Sequence, residues 1–301
     1  MLPVPISDEK EFSEFLKVSD IKDNSKSSYL KGLKSFYQFI KDNSIKSMDY
    51  STILEFKNFL KLNKTSATIN LYLSAVRCFF NYIEQKTGQR NVAKFVKSEK
   101  RSEGFLKSYL NMSQISSIIS SLDRESPEGK RDYAIFSLML KTGLRISEVC
   151  NANIIDFQDN GADAILYILG KGQTEKNQFV IIPSNCRDAI NDYLSTRDIL
   201  SPDEPLFIAY SNFNSGSRLQ SAGCRKMLNK YFNATGIKTK KISPHSLRHT
   251  AITLSLLGGA TIQEAQAMAR HSDINTTMIY SHNIDRYKNS AERKVEEILN
   301  F

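Results

Sequence analysis

The sequence predicts a mainly α-helical protein with a small antiparallel β-sheet, built as an N-terminal four-helix domain followed by a mixed α/β domain. Three observations predict it. Apolar residues recur at helical spacing through the first hundred positions. One block near the middle of the chain switches to strand-forming residues. A polar stretch then separates two regions, each long enough to bury a core of its own.

Phe12, Phe15 and Leu16 form a short first stripe. Leu30, Leu33, Phe36, Tyr37 and Ile40 mark a second helix, with Asn24 or Ser25 as its cap. Ile53, Leu54, Phe56, Phe59 and Leu60 follow Ser51 in a third, and Ile69, Leu73, Val76, Phe80 and Ile83 line a fourth from Ser66 or Thr68 to about Gln85. Together they form the core of a domain over residues 1–100. The run from Lys97 to Gly104 is almost without apolar residues, so 101–108 is read as a linker and 109–301 as the second domain. There Ser113 caps a helix through Leu122, and a longer helix spans about Gly129 to Leu140. Thr142-Gly143 interrupts before a further turn at Ile146 to Val149. Residues 164–169 and 178–182 are strands, joined by a turn that carries Gly170-Lys171-Gly172. Helices return at about 184–198, 217–235, 243–258, 261–269 and 273–281, with a last amphipathic one near 284–299.

Composition narrows the partners. The formal net charge is +9, which points to a polyanion. Residues 1–25 carry three Lys against six acids, whereas 26–100 carry fourteen Lys and Arg against five. That second block is the better candidate for lying along a phosphate backbone, although a merely solvated face explains the charge equally well. Lys31, Lys34, Lys57 and Lys61 stand between the apolar stripes, where they can meet a polyanion, and Lys64 and Arg77 belong to the same block. No run of about 18 apolar residues occurs, so no membrane span is expected. The N-terminus lacks the basic and apolar regions of a signal peptide, which suggests the cytoplasm. Cys78, Cys150, Cys186 and Cys224 are scattered without a CxxC pair, so free thiols are expected, with no metal site and no cofactor.

The chemistry concentrates near the C-terminus. His245 and Arg248 lie three apart at the start of a helix, on one face, where unpaired N–H groups favour an anion, or they are a salt-bridging arginine and a satisfied surface histidine. Arg145, three residues before Glu148, is either a surface ion pair or a second guanidinium aimed at the same phosphate. Lys171 sits on a tight turn as a solubilising charge or a proton donor carried into a groove, and Lys176 is its rival. Tyr280, on an apolar helix, is a core residue or a nucleophile. With a pKa near 10, a phenol acts at neutral pH only beside a base or cations.

In order and spacing, Arg145, Glu148, Lys171, His245, Arg248, His271 and Tyr280 resemble the signature of the tyrosine recombinase family. Thr142-Gly143-Leu144-Arg145-Ile146-Ser147-Glu148 is similar to its first arginine box, and His245-Ser246-Leu247-Arg248-His249 to its HxLRH box. The run from His271 to Tyr280 resembles the ending of Xer-type and phage integrases. The resemblance implies a helical core-binding domain and a catalytic domain that clamp double-stranded DNA. It further implies that Tyr280 attacks a backbone phosphate to form a 3′-phosphotyrosyl link. Arg145, Arg248 and His271 would hold the non-bridging oxygens, His245 would help move the tyrosine proton, Lys171 would protonate the leaving oxygen, and Glu148 would orient its neighbours. Neither metal nor ATP is implied. By its residues alone the tail helix, with Val295, Ile298, Leu299 and Phe301, packs on its own domain; the resemblance implies instead that it docks on a neighbouring subunit and links four protomers on DNA, with the free protein a monomer. A type IB topoisomerase-like enzyme and a DNA-binding regulator without catalysis are the alternatives. The chain departs from the family at Arg270, where Gly is usual; a large cation there would add a DNA contact or disturb the turn. It departs again at Glu175-Lys176-Asn177, which weakens the match of the second strand.

Overall fold

The computed structural model describes residues 2–3, 10–100, 109–161, 163–170, 173, 175–211, 215–239, 241–288 and 291–299. The chain divides into two compact units, Met1–Gly104 and Phe105–Phe301. The proposed linker, 101–108, lies outside the described residues.

The N-terminal unit is helical. Its helices are α1 (Lys10–Val18), α2 (Asp23–Asp42), α3 (Tyr50–Lys61) and α4 (Ser66–Thr87), and a two-residue pairing joins β1 (Leu2–Pro3) to β2 (Ser47–Met48). The apolar stripes meet in a phenylalanine-rich core, in which Phe12, Phe36, Phe56 and Phe79 are fully buried. Phe12 meets Phe79 at 5.2 Å and Phe36 meets Phe56 at 4.9 Å, both edge-on. Each such pair adds about 1 kcal/mol beyond the area it buries. The caps differ from those expected. Asp49 caps α3 in a reciprocal box with Thr52, Thr65 caps α4, and α2 begins at Asp23 with no side-chain cap.

The C-terminal unit opens with α5 (Met112–Ser121), α6 (Pro127–Thr142) and α7 (Ile146–Cys150). Asn111 caps α5 rather than Ser113, because its side chain reaches the N–H of Gln114 while Gln114 reaches back. The sheet has the order β3 (Phe157–Asp159), β4 (Ala164–Ile168), β5 (Gln178–Ile182), antiparallel throughout, with Ile165 opposite Ile181 and Tyr167 opposite Phe179. Three-residue β3 is too short to show alternation in sequence. Leu166, Ile168, Val180 and Ile182 point into the core, and Phe179 and Ile181 point out. The chain continues through α8 (Ser184–Leu194), α9 (Ser221–Ala234), α10 (His245–Leu257), α11 (Ile262–Ala269), α12 (Asn275–Lys288) and α13 (Ala291–Leu299). Helix α12 passes through residues 281–284, where a break was expected, since that stretch holds no Gly or Pro to stop it.

Two features place the site. Eight consecutive residues of α10, Ser246 to Thr253, are buried, so this helix runs through the interior with α6, α11 and α12 around it. Thr250 fixes its start, accepting the Leu110 N–H at 2.8 Å and donating to the Ser246 carbonyl. No described helix is long and apolar enough to cross a membrane.

Candidate active site

The site is assembled where helices end. Helix α6 stops at Gly143, whose φ of 64° is a left-handed conformation that glycine adopts without strain. Two residues later Arg145 occupies the cap position of α7. Its backbone N–H donates to Glu148 Oε2 at 2.8 Å and its guanidinium to Oε1 at 2.6 Å, with Glu148 buried and Arg145 about a quarter exposed.

Arg248 lies in the first turn of α10 and is 2% exposed. It donates to the carbonyl of Gly143 at 2.5 Å and to that of Ala269, the last residue of α11. One guanidinium therefore closes the carbonyl ends of two helices, where the peptide dipoles favour a cation. Burial first, and then the positive charges of Arg145 and Arg270, pull its pKa down to about 10, against the opposing pull of Glu148 and Tyr280.

The chain leaves α11 through Arg270 and delivers His271, whose Nδ1 meets the Thr277 hydroxyl at 2.8 Å. His271 is pulled down to about 4, by burial first, then by Arg248, Arg145, Arg270 and His245, so its ring is neutral at neutral pH. Tyr280 of α12 is 5% exposed and stacks on His271 at 6.5 Å. Burial pushes its hydroxyl up to about 12, and Arg248 draws it back.

The imidazole that meets the Tyr280 hydroxyl belongs to His249, through Nδ1. The His245 ring sits edge-on to His249 at 4.7 Å, so His245 is connected to the tyrosine through its neighbour one turn on. His249 was part of the motif but carried no expected role. The signal was present in its spacing, since residues four apart share a helix face.

Arg145, His245 and Arg248 also line one pocket of about 380 Å³. Arg225 and Asn229 of α9 and Lys238 contribute to the same wall, and sequence reasoning had passed over them. Nothing in an isolated Arg or Lys of an amphipathic helix marks it before the helix is docked.

The remaining expected residues divide. Lys31, Lys34 and Lys64 are exposed. Lys61, exposed as they are, and the half-buried Lys57 pair with the Glu99 carboxylate at 3.0 and 2.7 Å, and Lys57 also donates to the Lys97 carbonyl. Arg77 donates to the Val96 carbonyl at 2.5 Å. These three hold the chain that follows α4 against its own unit, because a nearby carboxylate and unsatisfied carbonyls offer partners within the fold. Lys176 pairs with Asp156. The Arg270 side chain is turned inward against Glu148. Lys171 lies outside the described residues. The four cysteines are free thiols, and all but the half-buried Cys78 are buried. Among the described residues no cluster of three or more His, Cys, Asp or Glu has the arrangement of a metal site.

Residues 108–286 match the model of the phage integrase family, and residues 10–89 that of the N-terminal SAM-like domain of phage integrases. A tyrosine recombinase of Pseudothermotoga lettingae is 29% identical over 294 residues, covering 94% of this chain and 96% of the relative. Tyrosine recombinase XerC of Thermodesulfovibrio yellowstonii is 31% identical over 227 residues, covering 73% and 72%. In fold, the chain is similar to a XerH site-specific recombinase bound to its palindromic difH substrate after cleavage, with a TM-score of 0.73 at 19% identity, over 98% of this chain and 85% of that one. The chain belongs to the phage integrase family and is a site-specific tyrosine recombinase, acting on duplex DNA through a phosphotyrosine intermediate.

Proposed function

We propose that Tyr280 is the nucleophile of strand cleavage and that Arg145, Arg248 and His271 receive the scissile phosphate. The observation that carries this reading is Arg248, a buried guanidinium that lines the pocket with Arg145 and His245 and also acts on Tyr280 and His271. As the phenolic oxygen adds to phosphorus, charge grows on the non-bridging oxygens, and each prepositioned donor lowers that barrier by about 3 kcal/mol. The phenol gives up its proton to the histidine pair, His249 in contact and His245 behind it. Lys171 protonates the departing 5′ oxygen, and Glu148 holds Arg145 in place. The ester stores the energy of the broken bond, so a 5′-hydroxyl from another strand can reverse the step and complete an exchange.

The DNA runs past the exposed cations of the N-terminal unit, Lys31, Lys34 and Lys64 among them, and past the Arg225 and Lys238 side of the pocket. XerH is described as bound to difH, which supports a defined duplex site here. On DNA the protein works as a homotetramer and free of it as a monomer. The apolar residues Val295, Ile298 and Leu299 of α13 are 53%, 81% and 53% exposed, the condition of a helix that docks on a neighbouring copy.

Covalent capture tests the reading. The protein is incubated with a library of random-sequence duplexes, and DNA that stays attached after denaturation is sequenced. Recovery of one enriched site, with exchanged strands when two duplexes carry it, is the expected result. Relaxation of supercoils without exchange would mean a topoisomerase, and binding without any adduct would remove the catalytic role.

A further inference from the structure

Arg270 is one of two non-glycine residues with positive φ among those described, at φ 54° and ψ 46°. For an L-residue this conformation costs on the order of 1–2 kcal/mol, and glycine would occupy it freely. The strain holds a buried cation. Arg270 Nη2 donates to Glu148 Oε2 at 3.0 Å and Nη1 to the Met268 carbonyl at 2.6 Å, while its buried Nε has no hydrogen-bond partner. Glu148 is thereby gripped from two sides, since its other oxygen takes the guanidinium of Arg145.

We propose that Arg270 is a positioning residue for strand cleavage, clamping Glu148 so that Arg145 is fixed and offsetting the Glu148 charge beside the pocket. The inference rests on the site reading above. Without Arg270, Glu148 cancels one of the cations, Arg145, Arg248, Arg225 and Lys238, that line the pocket. With it, three guanidinium groups face one carboxylate. The charge that Arg270 restores favours the pentacoordinate transition state, which carries more negative charge than the phosphodiester. An interaction that grows between ground state and transition state raises the rate of the chemical step rather than the affinity. The same left-handed turn aims the Ala269 carbonyl at Arg248 and starts the chain toward His271. Arg270 also adds to the field that keeps His271 neutral. The other groups facing that ring are Arg248 and His245 of α10, Arg145, and Thr277 and Tyr280 of α12.

The test compares Arg270→Gly and Arg270→Lys with the parent. Glycine suits the backbone, so the fold is kept. The DNA probe is the duplex recovered by covalent capture, nicked to trap the adduct. Adduct formation is expected to slow at least about 30-fold in Arg270→Gly, with duplex affinity within about threefold, and Arg270→Lys should recover part of the rate. In the DNA-free protein, the His271 ring, followed by NMR, should titrate at a higher pH in Arg270→Gly than in the parent. A parental adduct rate in Arg270→Gly, an unmoved His271 titration, or an affinity loss as large as the rate loss would each overturn the proposal. If the parent captures no DNA, it is the recombinase site reading that fails; the His271 titration still decides whether the Arg270 charge acts on the site.

Discussion

The two units of this protein handle positive charge in opposite ways. The N-terminal unit carries its cations on the surface of a phenylalanine core, and several of them, Lys57, Lys61 and Arg77, are bound by the chain that follows α4. The C-terminal unit buries Arg248, the Glu148 carboxylate and most of the Arg270 side chain. Surface cations are screened and rearrange easily, so they add affinity in small equal steps. Buried ones are held before the substrate arrives and contribute to the chemical step. Composition reveals the first kind and says little about catalysis; the second is invisible to composition and depends on which helices end at one point.

The largest effect that would separate the two kinds is expected from Tyr280→Phe. Adduct formation should disappear, while gel-shift affinity stays within about threefold, because the ring keeps its stacking on His271 and loses only an oxygen. Arg145→Ala should slow cleavage by about 100- to 1,000-fold in single-turnover assays. Arg248→Ala should do the same and also lower thermal stability, since two helix-end carbonyls lose a charged donor. A mere affinity loss in either variant would make these cations ordinary contacts. His249→Phe should cost about 10- to 100-fold in the cleavage rate and flatten its pH dependence, as the tyrosine loses its contacting imidazole.

The surface cations predict smaller, additive changes. Lys31→Ala, Lys34→Ala and Lys64→Ala should each weaken duplex binding modestly and reduce the salt dependence of log K by about one. Lys57→Ala and Arg77→Ala should lower the melting temperature and leave that slope alone. Equal slopes for both sets would erase the distinction drawn here. Stability should also respond to acid through His271. Its folded pKa of about 4 lies below the ordinary 6.5, so between those values the unfolded chain binds a proton that the folded one refuses. Stability is therefore lost as pH falls from 6.5 toward 4, and a His271→Asn variant should show a weaker loss in urea titrations.

Much of this was legible in the sequence, for identifiable reasons. The helical stripes of α1 to α4 and the two longer strands show because burial imposes a period. The helix ends were harder: Asn111, Asp49 and Thr65 act as caps where neighbouring Ser or Thr residues were equally plausible, and only geometry decides which side chain reaches the open N–H. In the site, motif order and spacing made Arg145, His245, Arg248, His271 and Tyr280 candidates for one neighbourhood. They could not show that His249 rather than His245 touches the phenol, because both lie on the same face. Nor could they show Arg270 folding inward, since an arginine in a left-handed turn has no sequence signature.

The central claim is that the Tyr280 hydroxyl becomes the bond to DNA. Digesting the captured adduct to peptides and sequencing them by mass spectrometry tests it directly. The account expects a single modified peptide with the nucleotide on Tyr280, joined through the 3′ phosphate. A nucleotide on any other residue, or one joined through a 5′ phosphate, would contradict it.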